Sequence, residues 1–535
     1  MAEKKLGNTV REASIRATYR VPGAVRAGGR TARAIAFEQT VELPEALVTD
    51  PAIRERIVGE VESVVPDPEM SEASRVIIAY NAELAVGGLG ALFNLLYGNV
   101  SMYRGVRLLA AELPDALLAQ FRGPRYGIGG LRELIGVHDR PLLATALKPR
   151  GSPVAALARM AEAFALAGGD IVKDDQNLVD DSFDAFRLRV DACAAAVEQA
   201  NAKTGRRTLY LPHLAGRDGN LERSAEFIHA RGLAGALICP LATGLDRARA
   251  LADRYGLVFM AHPSLAGGFT QGEGSGVAPD LLLGTLFRLA GADISIFPAP
   301  GGRFDVSPVQ CGVIADALRC PLGELRPALP APSGGMRLEK AFDLADVYGA
   351  DSVWLVGGAL HGYDGGIPEG TREFLAALRA RFPERLVEPG GEYVSACELS
   401  SVGAADLRAL IPALEDFRWE GRKDQVYKKT RELDFRGVRR VELVGKNGER
   451  CGFELRYFEL EPGGYTSREK HVHTHVLIGA RGRGVVLTNA ERRELKSDDV
   501  AYVAPLEVHQ LRNESDAPFG FYCIVDRGRD RPMAP

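Results

Sequence analysis

The sequence predicts an α/β chain in three parts. These are an N-terminal α+β domain over residues 1–130, a parallel (β/α)8 barrel over 131–415 and, past a link at 416–432, a small all-β barrel over 433–535. Three observations carry this prediction. From Pro141 onward, eight short apolar runs alternate with helix-length amphipathic stretches. Before that point strand-like and helix-like segments mix without a repeat. After Leu433 only short β-runs separated by turns remain.

In the N-terminal part, Ile15–Tyr19 and Ile35–Val41 alternate or carry β-branched residues and read as strands, whereas Asp50–Val64 and Leu89–Leu96 read as helices. The eight runs that follow are Leu142–Lys148, Ile171–Asp175, Thr208–Leu214, Ala236–Leu241, Leu257–His262, Ala292–Pro298, Arg326–Pro330 and Ser352–Gly358. Helical patterns between them include Pro153–Ala167, Phe183–Ala200, Asn220–Ala230 and Asp246–Tyr255. Eight such units match the ~250 residues typical of a (β/α)8 barrel. No GxGxxG fingerprint follows the first run, which argues against an open dinucleotide-binding sheet. Glu384–Lys429 reads as helical and polar. The C-terminal runs are Val441–Val444, Phe453–Leu460, His471–Ile478, Gly484–Thr488, Asp499–Val503 and Phe519–Val525, the spacing of a small sandwich or barrel.

Composition narrows the function classes. Hydrophobic residues at 46% and charged residues at 25% are those of a globular chain. A balance of 66 basic against 70 acidic side chains lacks the cationic footprint of a nucleic-acid binder. No apolar run approaches the ~20 residues of a membrane span. The first twenty residues are charged but have no apolar core, so the expectation is a cytoplasmic protein without a membrane partner. Seven scattered cysteines without a CxxC pair read as reduced thiols.

In a (β/α)8 barrel the reactive side chains sit at the C-terminal strand ends. Here those ends carry Lys148, the Lys173-Asp174-Asp175 run, His213 and His262. Two lysines at one mouth lower each other's pKa, so that one can act as base or nucleophile, or take up carbon dioxide as a carbamate. With Asp175, such a carbamate would hold a hard cation, Mg2+. Ser333-Gly334-Gly335 and Gly357-Gly358 follow the last two strands, where glycine lets backbone N–H groups approach an oxyanion; this points to a small phosphorylated substrate. In the last domain His471, His473 and His475 share one strand face, and His509 lies on a further strand. Such a cluster suits a first-row transition metal, Mn, Fe, Ni or Zn. Cys523, on the last strand, reads as a small buried hydrophobe or as a thiol facing the metal cavity.

LKPRG (Leu147–Gly151), GGDIVKDDQN (Gly168–Asn177), AHPSLAG (Ala261–Gly267), PSGGM (Pro332–Met336) and LVGGALHG (Leu355–Gly362) resemble, in order and context, the catalytic barrel of the RuBisCO superfamily. RATYRVPG, FEQTVELP, LLYGNVSMY and FRGPRYGI resemble its N-terminal domain, which implies a ferredoxin-like α+β fold there. The resemblance is to the RuBisCO-like proteins. It implies that Lys173 is the carbamylated lysine, Asp175 a metal ligand, Lys148 the proton-abstracting lysine and His262 an active-site histidine. Gln176 stands at the position of a metal-ligand glutamate; a neutral amide there removes one negative charge and weakens the hold on Mg2+. Arg150 replaces a second lysine. Asp174 is a spare carboxylate for a second proton transfer. Asn99 matches an asparagine that reaches a neighbouring subunit's site, which implies a homodimer or a higher homo-oligomer. The loop after the sixth strand, FPAPGGRF, carries only Arg303 where carboxylation needs a lysine, so carbon fixation is not expected.

The C-terminal part resembles the cupins. The position of their motif glutamate falls on Leu477, with His475 as the compensating ligand. The pairing resembles the methylthioadenosine salvage branch. It implies a barrel that isomerises 5-methylthioribulose 1-phosphate and a cupin that, with glutathione, releases the methylthio group to leave 1-deoxyxylulose 5-phosphate. The alternative is a 2,3-diketo-5-methylthiopentyl-1-phosphate enolase, or an isomerase or decarboxylase of another pentose phosphate, with the cupin as a metal-dependent sensor.

Overall fold

The computed structural model describes residues 14–216, 219–272, 274–304, 306–382, 411–425, 434–444, 453–470, 474–488, 491–504 and 507–526. The chain divides into two compact units, residues 1–399 and 400–535.

The first unit opens with a five-stranded sheet in the order Gly276–Val277, Arg107–Glu112, Ser14–Pro22, Ala73–Asn81, Glu60–Pro66. Its outermost strand is lent by the barrel and pairs in parallel with Arg107–Glu112; the other pairings are antiparallel. Two sequence expectations fail here. Ile35–Val41 is not a strand: Ile35 to Glu38 close the helix Val25–Glu38, which buries Ala32, Ile35 and Ala36, the three-and-four spacing of one helix face. Asp50–Val64 is not one helix. A short helix, Pro51–Arg56, capped by the Asp50 carboxylate, is followed by the strand Glu60–Pro66. The chain turns between them at Gly59, where a Cβ would fall 2.8 Å from the Tyr80 ring.

The barrel strands are Leu142–Leu147, Ile171–Asp174, Leu209–Leu211 continued as His213–Leu214, Gly235–Ile238, Val258–Ala261, Ile294–Pro298, Leu329–Ser333 and Val353–Leu355. All pair in parallel, and the eighth pairs with the first. The third is bonded to the second before Pro212 and to the fourth after it, so the sheet closes on itself. The seventh strand starts three residues later than the apolar run read from the sequence, which makes Ser333 its last residue. Leu142, Ala144, Ile171, Leu237, Met260, Ile296, Ala331 and Leu355 fill the barrel interior. The alternate residues, among them Leu143, Val172, Tyr210, Phe259 and Trp354, face the surrounding helices. The helix Gly127–Ile135 plugs the N-terminal end. Its start is held by Asp293, which accepts from the N–H of Tyr126 (2.7 Å), Gly127 (2.8 Å) and Phe259 (3.0 Å).

The second unit is all-β, with strands Arg436–Val444, Phe453–Tyr465, His475–Arg481, Arg483–Thr488, Arg492–Lys496, Val500–Val503, His509–Arg512 and Phe519–Asp526. The long strand Phe453–Tyr465 pairs with Arg436–Val444 on one side and Phe519–Asp526 on the other. Its interior packs Phe458, Leu460, Leu477, Val503, Leu511, Phe519, Phe521 and Cys523. The helical expectation for Glu384–Lys429 does not hold where the chain is described: residues 411–425 form short strands at Ala413–Leu414, Arg418–Trp419 and Asp424–Gln425. Trp419 and Phe417 are drawn onto Tyr457, with ring centroids 5.1 and 5.3 Å away, and that burial overrides a polar helical pattern. The remainder of that stretch lies outside the described residues.

Candidate active site

Strand alternation sorts the charged run at the second strand end. Lys173 and Asp175 share the inward face with Ile171, and Asp174 faces the helix layer with Val172. On the neighbouring first strand, Lys148 continues the inward series of Leu142, Ala144 and Ala146. Lys148 Nζ lies 3.3 Å from Asp175 Oδ2. Asp175 Oδ1 accepts from the Asn177 N–H at 3.0 Å. Burial works to raise the Asp175 pKa, but the Asn177 amide and the two lysines outweigh it and hold the carboxyl below its usual range. Lys173 is 2% exposed and donates to the Asp174 carbonyl at 2.9 Å. Burial, joined by the nearby Lys148 cation, brings its pKa down to about 8 against the opposing pull of Asp175.

Asp174 does not serve as the spare carboxylate. It is fully buried and ion-paired with Arg189, and it accepts from the Tyr210 hydroxyl (2.9 Å) and the His213 N–H (2.8 Å). Held by these three donors on the outer side of the barrel wall, it is turned away from the mouth.

Three inward residues on the next strand ends complete the polar cluster. Cys239 Sγ lies 3.5 Å from His213 Nε2 and 3.7 Å from Ser264 Oγ. His262, just past the fifth strand, has Nδ1 2.9 Å from Ser264 Oγ and accepts from the Ser264 N–H at 3.2 Å. An acceptor at Nδ1 puts the proton of the neutral ring on Nε2. Burial, reinforced by Lys173, lowers the His262 pKa to about 3, so the ring stays neutral through the physiological range.

The glycine loops lie where the sequence put them. Gly334 and Gly335 have left-handed φ of 83° and 74°, and a Cβ on Gly335 would stand 2.5 Å from Gly302 Cα, so the loops after the sixth and seventh strands meet backbone to backbone. A Cβ on Gly357 would lie 3.3 Å from Lys148 Nζ, which places the eighth-strand turn directly beside that amine. Ser333 and Gln176 are half-buried, Arg150 is exposed, and Gly358 begins the short helix Gly358–His361. Asn99 is in the N-terminal domain. Its Nδ2 donates to Glu38 Oε1 at 3.0 Å and it is not bonded to the barrel cluster.

In the all-β unit, His475 and His509 are both buried, with ring centroids 4.9 Å apart. His509 Nδ1 pairs with the Glu507 carbonyl at 2.9 Å. Cys523 Sγ is 3.5 Å from His475 Nδ1, and Arg456 Nη2 donates to that sulfur at 3.5 Å. Leu477 is part of the apolar interior. His471 and His473 lie outside the described residues. Among the described residues no three metal-ligating side chains converge.

Cys239, Ser264, Glu38 and Arg456 went unread in the sequence. The first two sit at strand ends that were recognised, so their positions alone could have flagged them. Glu38 and Arg456 acquire their neighbours only through strand and helix packing.

The fold and the site define a chain made of a RuBisCO-type (β/α)8 barrel and a cupin. It matches the catalytic domain of the ribulose bisphosphate carboxylase large chain over residues 127–298 and the cupin domain over 456–525. The crystal structure of a Rubisco-like protein from Rhodopseudomonas palustris superposes with a TM-score of 0.63 at 36% identity, covering 70% of this chain and 99% of that one. The 5-methylthioribulose-1-phosphate isomerase of Rhodospirillum rubrum is 40% identical over 366 residues, 68% of this chain and 96% of that protein. The 2,3-diketo-5-methylthiopentyl-1-phosphate enolase of Geobacillus thermodenitrificans is 37% identical over 315 residues, 58% of this chain and 76% of that protein. The chain belongs to the RuBisCO-like protein family. No described helix is long and apolar enough to cross a membrane.

Proposed function

We propose that the chain is a bifunctional methionine-salvage enzyme. The barrel would convert 5-methylthioribulose 1-phosphate to 1-methylthioxylulose 5-phosphate, and the cupin would then release the methylthio group. The observation that carries this reading is the 3.3 Å approach of Lys148 Nζ to Asp175 Oδ2 beside the buried amine of Lys173.

The two sugars differ by a carbonyl moved two carbons along the chain. A proton must therefore be lifted next to a carbonyl and returned one carbon away, twice, through enediolates. Lys148, half-exposed at the mouth, is the group that takes and returns these protons. Neutral His262 donates from Nε2 to a developing oxyanion. The glycine turns at Gly334-Gly335 and Gly357-Gly358 receive the phosphate, the latter next to Lys148, with Ser333 and Arg150 bordering the mouth. The buried Lys173 with its lowered pKa, Asp175 and the Gln176 amide are oxygen donors suited to Mg2+ once Lys173 carries a carbamate. Bound there, Mg2+ supplies charge stabilisation to the enediolate oxygens.

In the cupin, the carbon–sulfur bond breaks with its electron pair left on carbon, which takes a proton to become the methyl group of 1-deoxyxylulose 5-phosphate. Two glutathione thiols balance this step by forming a disulfide as methanethiol leaves. His475 and His509, with His471 and His473, are the residues that would hold a transition metal, and Cys523 borders them. Joining the two steps on one chain raises the local concentration of the intermediate. A homodimer, with Asn99 serving a neighbouring subunit, belongs to the same proposal.

Phosphorus NMR of the protein mixed with 5-methylthioribulose 1-phosphate tests the first step, and thiol release in the presence of glutathione tests the second. His475→Ala with His509→Ala should retain the isomerisation and lose methanethiol. Turnover of the diketo phosphate in place of the ketose would select the enolase reading, the activity for which the Geobacillus relative is named. Unchanged substrate in both assays would refute the proposal.

Carbamate formation has its own pH signature. The reactive form is the neutral amine, and the Lys173 pKa is lowered to about 8 from 10.5. Uptake of 13C-labelled carbon dioxide at Lys173 should therefore rise between about pH 7 and 9, well below the range of an ordinary lysine. The same shift has a stability consequence of fixed sign: the contribution is full above pH 10.5 and is lost as pH falls to about 8. A carbon NMR carbamate signal that appears only above pH 10 would contradict this assignment.

A further inference from the structure

Arg456 is a buried cation in the cupin interior, and among the described residues no carboxylate forms an ion pair with it. On the other face of the strand pair, Arg439 is paired with Asp424 and Glu459, and Arg481 with Glu459; on the Arg456 face, Arg440 is paired with Glu442. Arg456 is 7% exposed, its guanidinium lies 5.3 Å from the Phe458 ring centroid, and its Nη2 donates to Cys523 Sγ at 3.5 Å. Its Nε is buried without a hydrogen-bond partner.

The direction of the side chain follows from strand parity. Arg456 alternates with Tyr457 and shares a face with Phe458 and Leu460, both in the apolar interior. Its cross-strand neighbours are Glu442, whose carboxylate is taken by Arg440, and Cys523, which in turn pairs with Leu477 on the His475 strand. Arg456, Cys523, His475 and His509 thus face one interior. A guanidinium cannot shed its proton there. A ring face and a thiol are weak compensation for a desolvated cation whose Nε–H is unmet. What fits that donor is an oxyanion arriving with a ligand, which Arg binds with charge-assisted hydrogen bonds.

We propose that Arg456 is the anion anchor of the cupin cavity: it receives an oxyanion, phosphate or carboxylate, of a small organic ligand and holds that ligand against Cys523 and the imidazoles of His475 and His509. The inference deepens the reading of the cupin as the unit that acts on a small anionic product and rests on it.

Paired alkylating probes test the anchor without turnover. Iodoacetate carries a carboxylate and iodoacetamide does not. The full-length protein as purified is treated with each, and peptide mass spectrometry follows Cys523, with the exposed Cys320 as internal reference. The iodoacetate-to-iodoacetamide rate ratio at Cys523 is expected to exceed that at Cys320 by about tenfold, the effect of one charge-assisted hydrogen bond. The iodoacetate reaction should saturate. Competition by inorganic phosphate and by acetate distinguishes a phosphate-selective from a carboxylate-selective anchor. Arg456→Gln should abolish the preference while iodoacetamide still reaches Cys523; Arg456→Lys should keep part of it.

Equal ratios at the two cysteines would overturn the proposal, as would a preference that survives in Arg456→Gln. Failure of both reagents to reach Cys523 would mean that the cavity admits no small ligand, and would overturn it too. A protein that labels as expected yet releases no methanethiol would sink the cupin reaction and leave the anchor standing.

Discussion

Lys148→Met is expected to lower the rate of carbonyl migration by about 100- to 10,000-fold, the range for removing a positioned acid–base group. The variant keeps the length of the side chain and removes the only amine that the first strand brings to the mouth. Its partner, Asp175, then loses one of the cations that hold its carboxyl low, so its pKa should move upward. Because Lys148 is half-exposed, folding should be nearly unaffected, with the urea midpoint close to that of the parent. Arg150→Met, at an exposed position two residues on, should cost far less in rate. A phosphorus NMR time course for the three proteins decides the matter. A Lys148→Met enzyme within tenfold of the parent would remove Lys148 from the chemistry.

Arg189→Met is expected to destabilise the first unit by about 3–5 kcal/mol, the cost of leaving a buried charge without its partner. Asp174 is fully buried, and the guanidinium of Arg189 bridges it to Asp180, where Arg189 Nη2 lies 2.7 Å from Asp180 Oδ2. Burial disfavours the charged guanidinium, but Asp174, Tyr210 and Asp180 outweigh it and push its pKa up. Without Arg189 the Asp174 carboxylate would rest on the Tyr210 hydroxyl and the His213 amide alone. Those bonds tie the second strand to the third, next to Lys173, so a fall in the urea midpoint should come with loss of carbamate formation. A double-mutant cycle with Asp174→Asn should return a large coupling energy. Full stability in Arg189→Met, with a selective loss of rate, would instead put Asp174 back among the catalytic groups.

Much of this molecule was legible as pattern. Eight apolar runs with helical spacers sufficed for a closed barrel, because a parallel strand buried on both faces must be apolar throughout and its crossover must be long. Position at the strand end was then enough to mark Lys148, Lys173, Asp175 and His262. What failed did so for identifiable reasons. Ile35 and Phe37 carry side chains that suit a strand, but a helix face buried against the first sheet uses them equally well. Residues 411–425 look polar and helical until Trp419 and Phe417 find Tyr457. The seventh strand lies three residues later than its apolar run because Leu329–Ser333 pairs with Ile294–Pro298 along its length.

Asp174 and Asp175 illustrate the limit best. As letters they are interchangeable, and the sequence offers both to the same mouth. The period of two along a strand sends one inward to Lys148 and the other outward to Arg189, so neighbours of identical chemistry end in the candidate site and in a buried ion pair. The amino-acid order determined the barrel, the all-β unit and the strand tips that carry the candidate site residues, because burial periodicity is a local property of the chain. Which face each tip residue occupies, which cation meets which carboxylate, and that Arg456 pairs with none among the described residues were decided by the closed sheets. Those pairings join elements set apart in sequence, and no local pattern encodes them.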